Sequence, residues 1–184
     1  MTAYSYEIKI PLDRVAVLIG KNGEVKKSLE EETKTKIDID SKEGDVTVTG
    51  EDALSLFSTR EIIKAVGRGF NPEIAKQLLK QDNVLEIINI QDFAGKAQDS
   101  QQRLKGRVIG KEGKTRTIIE DLTDTNVSVY GKTVAIIGQP ENTAAARRAI
   151  TLLLSGSMHS AVYKMLERRR AQNRQTYFEE KWNE

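Results

Sequence analysis

One short stretch occurs twice in this chain and limits what the chain can fold into. The stretch Ile-Gly-Lys-x-Gly occupies residues 19–23 and again residues 109–113. Each copy follows an amphipathic run, opens a helix-like run and precedes two runs rich in β-branched residues. At this offset of ninety residues, Glu30 also matches Glu120, Thr33 matches Thr123 and Thr35 matches Thr125. A repeat of this kind predicts two similar small domains, which suits a length of 184 residues.

The two glycines of each stretch indicate a tight turn that can hold an anion. A turn between two helices needs residues that adopt positive φ, and the missing Cβ lets a phosphate approach the backbone. The second glycine leads into a helix whose unpaired N–H groups and dipole favour negative charge. Lys21 and Lys111 add positive charge at the tip of each turn. If these were ordinary tight turns, the repetition and the lysines would be coincidence.

Both copies predict the same order of elements: strand, helix, helix, strand, strand, helix. In the first copy the elements are a strand at 6–11, helices at 14–18 and 23–33, strands at 35–40 and 45–49, and a helix at 53–66. In the second they are a strand at 84–90, helices at 100–109 and 115–123, strands at 126–130 and 133–137, and a helix at 142–154. In the helix at 53–66 we expect Leu54, Phe57, Ile62, Ile63 and Val66 to face the core.

Three segments lie outside this shared pattern. A short helix at 73–80 is expected to join the copies, and residues 92–99 are expected to form a loop. A last helix at 160–175 is strongly basic and leads to the aromatic residues Tyr177, Phe178 and Trp182. Its arginines are either a solvated face or a contact for RNA or a protein, and the sequence leaves both open.

Composition excludes several classes of function. There are no cysteines and one histidine, so neither disulfides nor a zinc site is expected, and no cofactor or other metal is implied. That histidine, His159, lies near the start of a predicted helix and is expected to be a helix cap or a surface residue. The acidic run at 30–32 reads as a solvated helix face. No apolar run reaches membrane-spanning length, and no secretory signal precedes the first copy, so a cytoplasmic monomer is expected.

Nucleotide hydrolysis is also disfavoured. Gly113-Lys114-Thr115 ends like a phosphate-binding P-loop, but that pattern needs a glycine five positions earlier, where this chain has Val108. A P-loop also follows a strand, whereas a predicted helix precedes Gly110. We therefore expect a binding protein and not an enzyme.

The charge around the two loops differs. Residues 103–116 hold six basic residues and one acidic residue, a net charge of +5. Residues 13–26 hold three basic and two acidic residues, a net charge of +1. Attraction to phosphate supplies most sequence-independent affinity for nucleic acid. The second copy is therefore expected to bind a nucleic-acid backbone more strongly than the first.

The repeated pattern resembles the KH domain, a reader of single-stranded nucleic acid in which a Gly-x-x-Gly loop clamps the backbone. The element order is that of a type I KH domain, βααββα. The resemblance implies an α+β fold with two tandem type I KH domains, each a three-stranded sheet covered by helices, plus a C-terminal helix. The expected division is a first KH domain at 1–69, a helical connection at 70–82, a second KH domain at 83–156, and a basic helix and tail at 157–184.

The resemblance also assigns candidate RNA-binding residues. In the first copy these are Gly20, Lys21, Asn22, Gly23 and Lys26, and in the second they are Arg107, Ile109, Gly110, Lys111, Glu112, Gly113, Lys114 and Arg116. Base contacts are expected in an apolar groove beside each loop. Its floor is expected to include Leu18, Ile19, Ile37 and Ile39 in the first copy, and Val108, Ile109, Val127 and Val129 in the second.

The resemblance extends to one family of two-KH-domain proteins, the small-subunit ribosome assembly factors called partner of Nob one (Pno-one or Dim-two), in their compact archaeal form. It rests on residues 67–70, 85–90, 106–110 and 129–138. Membership implies binding near the 3′ end of small-subunit ribosomal RNA and cooperation with the Nob endonuclease, without cutting. Eukaryotic members usually lack the first glycine loop. This chain retains it, so the task of its first copy stays open.

Two other functions remain. One is a general KH-type RNA-binding adaptor in RNA decay or translation initiation, with translation initiation factor two alpha as a candidate partner. The other is a protein-interaction scaffold whose KH folds have lost RNA binding, which the retained glycine loops disfavour.

Overall fold

The computed structural model describes the backbone of residues 4–182 and the side chains of residues 4–176. The chain forms two compact units that divide between Leu85 and Glu86. Each unit contains one three-stranded sheet and its own set of helices.

In the first unit the central strand is the third strand of the chain. The elements are β1 (Tyr4–Lys9), α1 (Leu12–Ile19), α2 (Glu24–Thr33), β2 (Lys36–Ile39), β3 (Asp45–Gly50) and α3 (Ala53–Gly67). β3 lies between β1 and β2 and pairs antiparallel with both. Val48 of β3 is opposite both Tyr6 and Ile37. These three side chains therefore form one row across the sheet, on the face that the helices cover. Leu18, Leu29, Ile37, Val48 and Ile62 are fully buried and form the centre of this core.

In the second unit the same order recurs, with additions at both ends. The elements are β4 (Val84–Asn89), α5 (Gln91–Ala94), α6 (Gln98–Ile109), α7 (Lys114–Thr123), β5 (Asn126–Tyr130), β6 (Thr133–Gly138), α8 (Pro140–Leu154) and α9 (His159–Trp182). β6 is central and every one of its residues is buried. Val108, Ile119, Ile136 and Ile150 form the core. The order βααββα predicted for both copies is confirmed, and α5 is an extra helical turn in the segment expected to be a loop.

One predicted face was partly wrong. In α3, Ile62, Ile63 and Val66 are buried as expected, but Leu54 is 72% exposed and Phe57 52% exposed. The buried stripe instead runs through Leu56 and Thr59. Successive residues turn about 100° around a helix, so Leu54 and Leu56 lie on nearly opposite sides and cannot both face the sheet.

The segment between the copies packs on the first unit. It forms α4 (Pro72–Ala75) and a 3₁₀ turn over Lys76–Leu79 in place of one helix. Lys76 Nζ donates to Ser28 Oγ and Glu32 Oε1 on α2, each at 2.7 Å. The hydrogen bond from Lys76, with one from Ser28, lowers the pKa of Glu32 from its ordinary 4.5. This contact therefore stabilises the folded chain at neutral pH and is lost as the pH falls through the lowered value.

The last helix is part of the second unit. Val162 and Leu166 of α9 are each 1% exposed and belong to its core. Arg169 Nη2 donates to the carbonyl of Glu141 and to Asn142 Oδ1, both at 3.1 Å. At least one arginine of the basic run thus has a partner within the chain. The side chains of Tyr177, Phe178 and Trp182 lie outside the described residues.

Candidate nucleic-acid interface

Both glycine loops have the same backbone conformation. The first glycines, Gly20 and Gly110, have φ 74° with ψ 177° and 178°. The second glycines, Gly23 and Gly113, have φ 79° with ψ 11° and 5°. Each loop is closed by a hydrogen bond of 3.3 Å from the N–H of its second glycine to the carbonyl of its first. The repeat in the sequence therefore encodes two equivalent loops.

The two glycines of a loop are needed for different reasons. A Cβ on Gly110 would collide with the Thr115 hydroxyl and lie 2.8 Å from the Thr115 backbone nitrogen. A Cβ on Gly20 would collide in the same way with Val25. At Gly23 and Gly113 a Cβ would meet nothing within 4 Å, so only their positive φ favours glycine. The first glycine is required by close packing as well as by φ.

The middle of each loop is exposed and carries the lysines. Lys21, Asn22, Lys111 and Glu112 are all exposed. Asn22 and Glu112 both have φ 54°, a left-handed conformation that asparagine adopts more readily than glutamate. The lysines at the loop tips are therefore available to phosphate in both units.

The helix that follows the loop differs between the units. Lys114 is exposed at the first position of α7, where α2 has Glu24. The first turn of α7 contains no acidic residue. A positive charge at a helix N-terminus opposes the helix dipole, so Lys114 is unfavourable for the helix and favourable for an approaching anion. This difference agrees with the expected ranking of the two sites.

We expect Lys114→Glu to stabilise the protein and to weaken its binding to single-stranded RNA. Removing the unfavourable charge and adding a favourable one should raise the free energy of unfolding by about 0.5–1 kcal/mol. Loss of one phosphate contact should weaken RNA binding by about fivefold near 0.1 M salt. Urea unfolding and fluorescence anisotropy measure the two effects. A variant that is both less stable and equally able to bind RNA would contradict this role for Lys114.

The basic residues one turn further along lie beside a carboxylate in both units. Lys26 Nζ lies 4.0 Å from Glu30 Oε1, and Arg116 Nε lies 3.7 Å from Glu120 Oε2. Each glutamate also accepts a backbone hydrogen bond of 2.7 Å from the strand that follows its helix. Glu30 accepts from the N–H of Ile37 in β2, and Glu120 accepts from the N–H of Val127 in β5. Glu30 is therefore not simply a solvated residue, as the acidic run suggested. It connects α2 to the edge strand β2.

The residues expected to form the groove floor divide into two sets. Leu18, Ile37, Val108 and Val127 are buried in the cores. Their neighbours Ile19, Ile39, Ile109 and Val129 are half-buried and present surface beside the loops. The second set is the one that a base could contact.

The surface beside the second strand of each unit is more acidic in the first unit than in the second. A shallow pocket beside β2 is lined by Ile39, by Lys26 and Lys42, and by three carboxylates, those of Asp38, Asp40 and Asp45. Ser128 and Tyr130 stand at the positions in β5 that match Asp38 and Asp40. Carboxylates repel an RNA backbone, so this feature also favours the second unit as the stronger site.

Arg107, one of the predicted phosphate contacts, makes hydrogen bonds within the chain. Its Nε donates to the carbonyl of Leu153 at 2.9 Å, and its Nη2 donates to the carbonyl of Ser157. Arg14 does the same in the first unit, to Val66 at 2.8 Å and Phe70 at 2.7 Å. Leu153 and Val66 lie in the last turns of α8 and α3, and Ser157 and Phe70 lie three residues beyond those helices. The guanidinium of Arg107 thus connects α6 to α8 and to the segment after it, and its contact with RNA stays a prediction.

We expect Arg107→Ala to destabilise the second unit by roughly 2–4 kcal/mol, because two hydrogen bonds from a charged donor are lost. Arg107→Lys should recover only part of this loss, since one ammonium cannot reproduce the geometry of the guanidinium. Urea unfolding monitored by circular dichroism gives both values. If Arg107→Ala instead lowered RNA affinity with no loss of stability, the original assignment of a phosphate contact would be right.

Two residues near the second loop were not predicted as part of the site. His159 and Tyr163, in the first turns of α9, contact residues on both sides of the loop. Nothing in the repeat could indicate them, because α9 has no counterpart in the first copy.

Among the residues that the structure describes, no group of three or more histidine, cysteine or acidic side chains could hold a metal ion. No helix in the described chain is both long and apolar enough to span a bilayer.

Comparison with known proteins identifies both units. Residues 5–68 match the KH domain model, and residues 84–171 match a model described as a eukaryotic type KH domain (KH-domain type I) of PNO1. The chain is 51% identical to a KH domain-containing protein of Methanocaldococcus jannaschii, over 94% of this chain and 77% of that protein.

The eukaryotic relatives are longer. The chain is 35% identical to the RNA-binding protein pno1 of Drosophila pseudoobscura pseudoobscura, over 61% of this chain and 48% of that protein. It therefore spans about half the length of this curated relative.

A solved structure covers almost all of the fold. Dim2p from Pyrococcus horikoshii OT3 is 49% identical, with a TM-score of 0.84 over 90% of this chain and 99% of that one. A second structure, of the a/eIF2alpha–aDim2p–rRNA complex from the same organism, is 48% identical, with a TM-score of 0.87 over 92% of this chain and 96% of that one. The tandem type I KH fold and the family resemblance are thus confirmed, and the chain belongs to the PNO1/Dim2 family of two-KH-domain proteins.

Proposed function

We propose that this protein binds single-stranded RNA, chiefly through its second KH domain. The observation that carries the proposal is the second glycine loop, where Lys111 and Lys114 are exposed beside the half-buried groove residues Ile109 and Val129. Lysines at the loop hold phosphates, while an apolar groove of limited width admits unpaired bases and excludes a duplex. The first domain has the same loop with less positive charge and is the weaker site.

The target we infer is a single-stranded region near the 3′ end of small-subunit ribosomal RNA or its precursor. The P. horikoshii relative, which is 48% identical, is solved in a complex with rRNA, and the eukaryotic relatives carry the name RNA-binding protein. By holding this RNA the protein would assist small-subunit assembly in the cytoplasm. It would also guide 3′-end maturation by a Nob-type endonuclease, without cleaving RNA itself.

A salt titration tests the RNA-binding mode. If the second domain contacts about four phosphates, the affinity for single-stranded RNA should fall with a log–log slope of roughly −3. Ile109→Ala should reduce the preference between RNA sequences while leaving this slope unchanged, because base contacts specify and phosphate contacts position. Equal affinity for single-stranded and duplex RNA would show non-specific attraction to a basic surface, and the groove model would have to be abandoned.

A reconstituted cleavage assay tests the role in maturation. A precursor RNA that spans the 3′ end is incubated with a Nob-type endonuclease, with and without this protein. The proposal requires that the wild-type protein changes the rate or the position of cleavage and that a variant with an inactive second loop does not. Identical cleavage in all three reactions would limit the function to RNA binding.

A second candidate is an RNA-binding adaptor in translation initiation. The structure of the P. horikoshii relative also contains a/eIF2alpha. Under this alternative, the isolated alpha subunit of the initiation factor should bind the protein without RNA. Size-exclusion chromatography of the two purified proteins tests this directly, and separate elution would remove the candidate.

A further inference from the structure

The first turns of α9 contact both helices that carry the second loop. His159 Nε2 donates to the carbonyl of Arg107 on α6 at 2.8 Å. The Tyr163 and Thr115 hydroxyls share a hydrogen bond of 2.9 Å, which connects α9 to α7. The rings of His159 and Tyr163 also contact each other edge to face, with centroids 6.1 Å apart. One short piece of α9 therefore joins the end of the helix before the loop to the start of the helix after it.

Both contacts are made to groups that determine the loop's position. The carbonyl of Arg107 lies in the last turn of α6, where carbonyls have no partner within the helix. Thr115 is 4% exposed and lies directly against Gly110, at the point where a Cβ on that glycine would collide. Tyr163 thus holds the side chain on which the first glycine of the loop packs.

Within the part of the chain that the structure describes, the first loop has no such connection. Val25 occupies the position that matches Thr115 and has no hydroxyl to bond. In the segment that follows α3, Lys76 reaches Ser28 and Glu32, which lie further along α2 than its first turn. The two loops share a backbone conformation but not the residues that support it.

We propose that His159 and Tyr163 are positioning residues of the second RNA-binding loop. They fix α6 and α7 at the separation that the loop requires before RNA arrives, so that less ordering is needed on binding. The assignment of RNA as the ligand rests on the function proposed above, whereas the effect on the loop itself does not. The difference in affinity between the two domains then has a structural cause in addition to charge.

Amide hydrogen exchange in the free protein tests the effect on the loop. The reporters are the amides of Gly110, bonded to the carbonyl of Gly106, and Gly113, bonded to that of Gly110. Their matched controls are the amides of Gly20 and Gly23, which make the same bonds in the first loop. In the double variant His159→Ala with Tyr163→Phe, exchange at Gly110 and Gly113 should accelerate by about tenfold or more, from the loss of two hydrogen bonds. Exchange at Gly20 and Gly23 should not change.

Two controls separate this effect from general unfolding. The amide of Ile136, at the centre of the second core, reports global opening and should exchange as in the wild type. Ser160→Ala changes an exposed residue in the same turn of α9 and should leave every reporter unchanged. If the double variant proves too unstable, Tyr163→Phe alone keeps the ring and removes only the hydroxyl.

Binding of a labelled single-stranded oligoribonucleotide tests the consequence for RNA. Tyr163→Phe should weaken binding by about 2- to 10-fold, the range expected from one hydrogen bond. His159→Gln keeps a donor for the carbonyl of Arg107 and should bind better than His159→Ala. A residue with only a structural role would not show this recovery at equal thermal stability.

The outcomes distinguish this inference from the proposed function. Unchanged exchange at Gly110 and Gly113 in the double variant would overturn the inference, whether or not the protein binds RNA. Faster exchange with unchanged RNA affinity would also overturn it, because the loop would be held for another purpose. If the wild-type protein bound no RNA while exchange accelerated, the support of the loop would stand and the proposed function would fail.

Discussion

Gly110→Ala is expected to destabilise the second unit by roughly 2–5 kcal/mol and to abolish its share of RNA binding. With φ 74° and ψ 178°, Gly110 occupies a region that only glycine adopts readily, and another residue there costs about 1–3 kcal/mol. The added Cβ would also lie 2.8 Å from the backbone nitrogen of Thr115, which forces the loop or α7 to shift. Such overpacking adds about 1–3 kcal/mol. Urea unfolding of the variant and the wild type gives the difference.

Gly113→Ala is the matched control, since it makes the same chemical change three residues away. Nothing lies within 4 Å of its added Cβ, and its φ of 79° with ψ 5° is left-handed but accessible. The expected destabilisation is about 1–2 kcal/mol. Gly20→Ala and Gly23→Ala should reproduce the same difference in the first unit. Equal losses for the two positions of a loop would show that the packing against Thr115 and Val25 is unimportant.

Reversing the charge of the second loop should weaken RNA binding strongly while leaving the protein folded. Lys111→Glu with Lys114→Glu removes two phosphate contacts, which corresponds to a loss of affinity of about 25-fold near 0.1 M salt before any added repulsion. Both side chains are exposed and neither forms an ion pair with any described residue, so the fold should be retained. Fluorescence anisotropy with single-stranded RNA measures the loss.

The first unit provides a control with the same change in net charge. Lys21→Glu with Lys27→Glu alters the tip of the first loop and an exposed residue of α2. If the second domain is the main RNA site, this pair should weaken binding much less than the change at Lys111 and Lys114. A larger loss from the first-unit pair would reverse the proposed ranking of the domains.

The repeat explains why so much of the fold could be predicted from the sequence. Residues that match at the offset of ninety occupy equivalent positions in the two units. The structure gives the physical reason why several of these pairs are the same residue type. Thr33 and Thr123 each donate to a carbonyl one turn earlier, at 2.6 Å, and each bonds the threonine two residues later. Matching residues of this kind end a helix and orient the next strand, so their repetition marks equivalent architecture.

The direction of individual side chains is the part of the structure that residue type alone does not give. The apolar character of Leu54 and Phe57 predicts burial, but the sheet faces the other side of α3. Arg107 is basic and close to the loop, yet its guanidinium turns back to the end of α8. Sequence gives the position of such a residue along the helix, whereas the direction of a long side chain depends on which acceptors the folded chain leaves unpaired.

The different requirements of the two loop glycines predict how such a domain decays over evolutionary time. A second glycine that needs only a positive φ can be replaced by asparagine or aspartate at small cost, as Asn22 shows in the neighbouring position. A first glycine pressed against the following helix tolerates no side chain. In lineages where one domain is released from selection for RNA binding, the second glycine should therefore drift first. A domain that keeps only its first glycine would then be under selection for its folded structure and not for RNA binding.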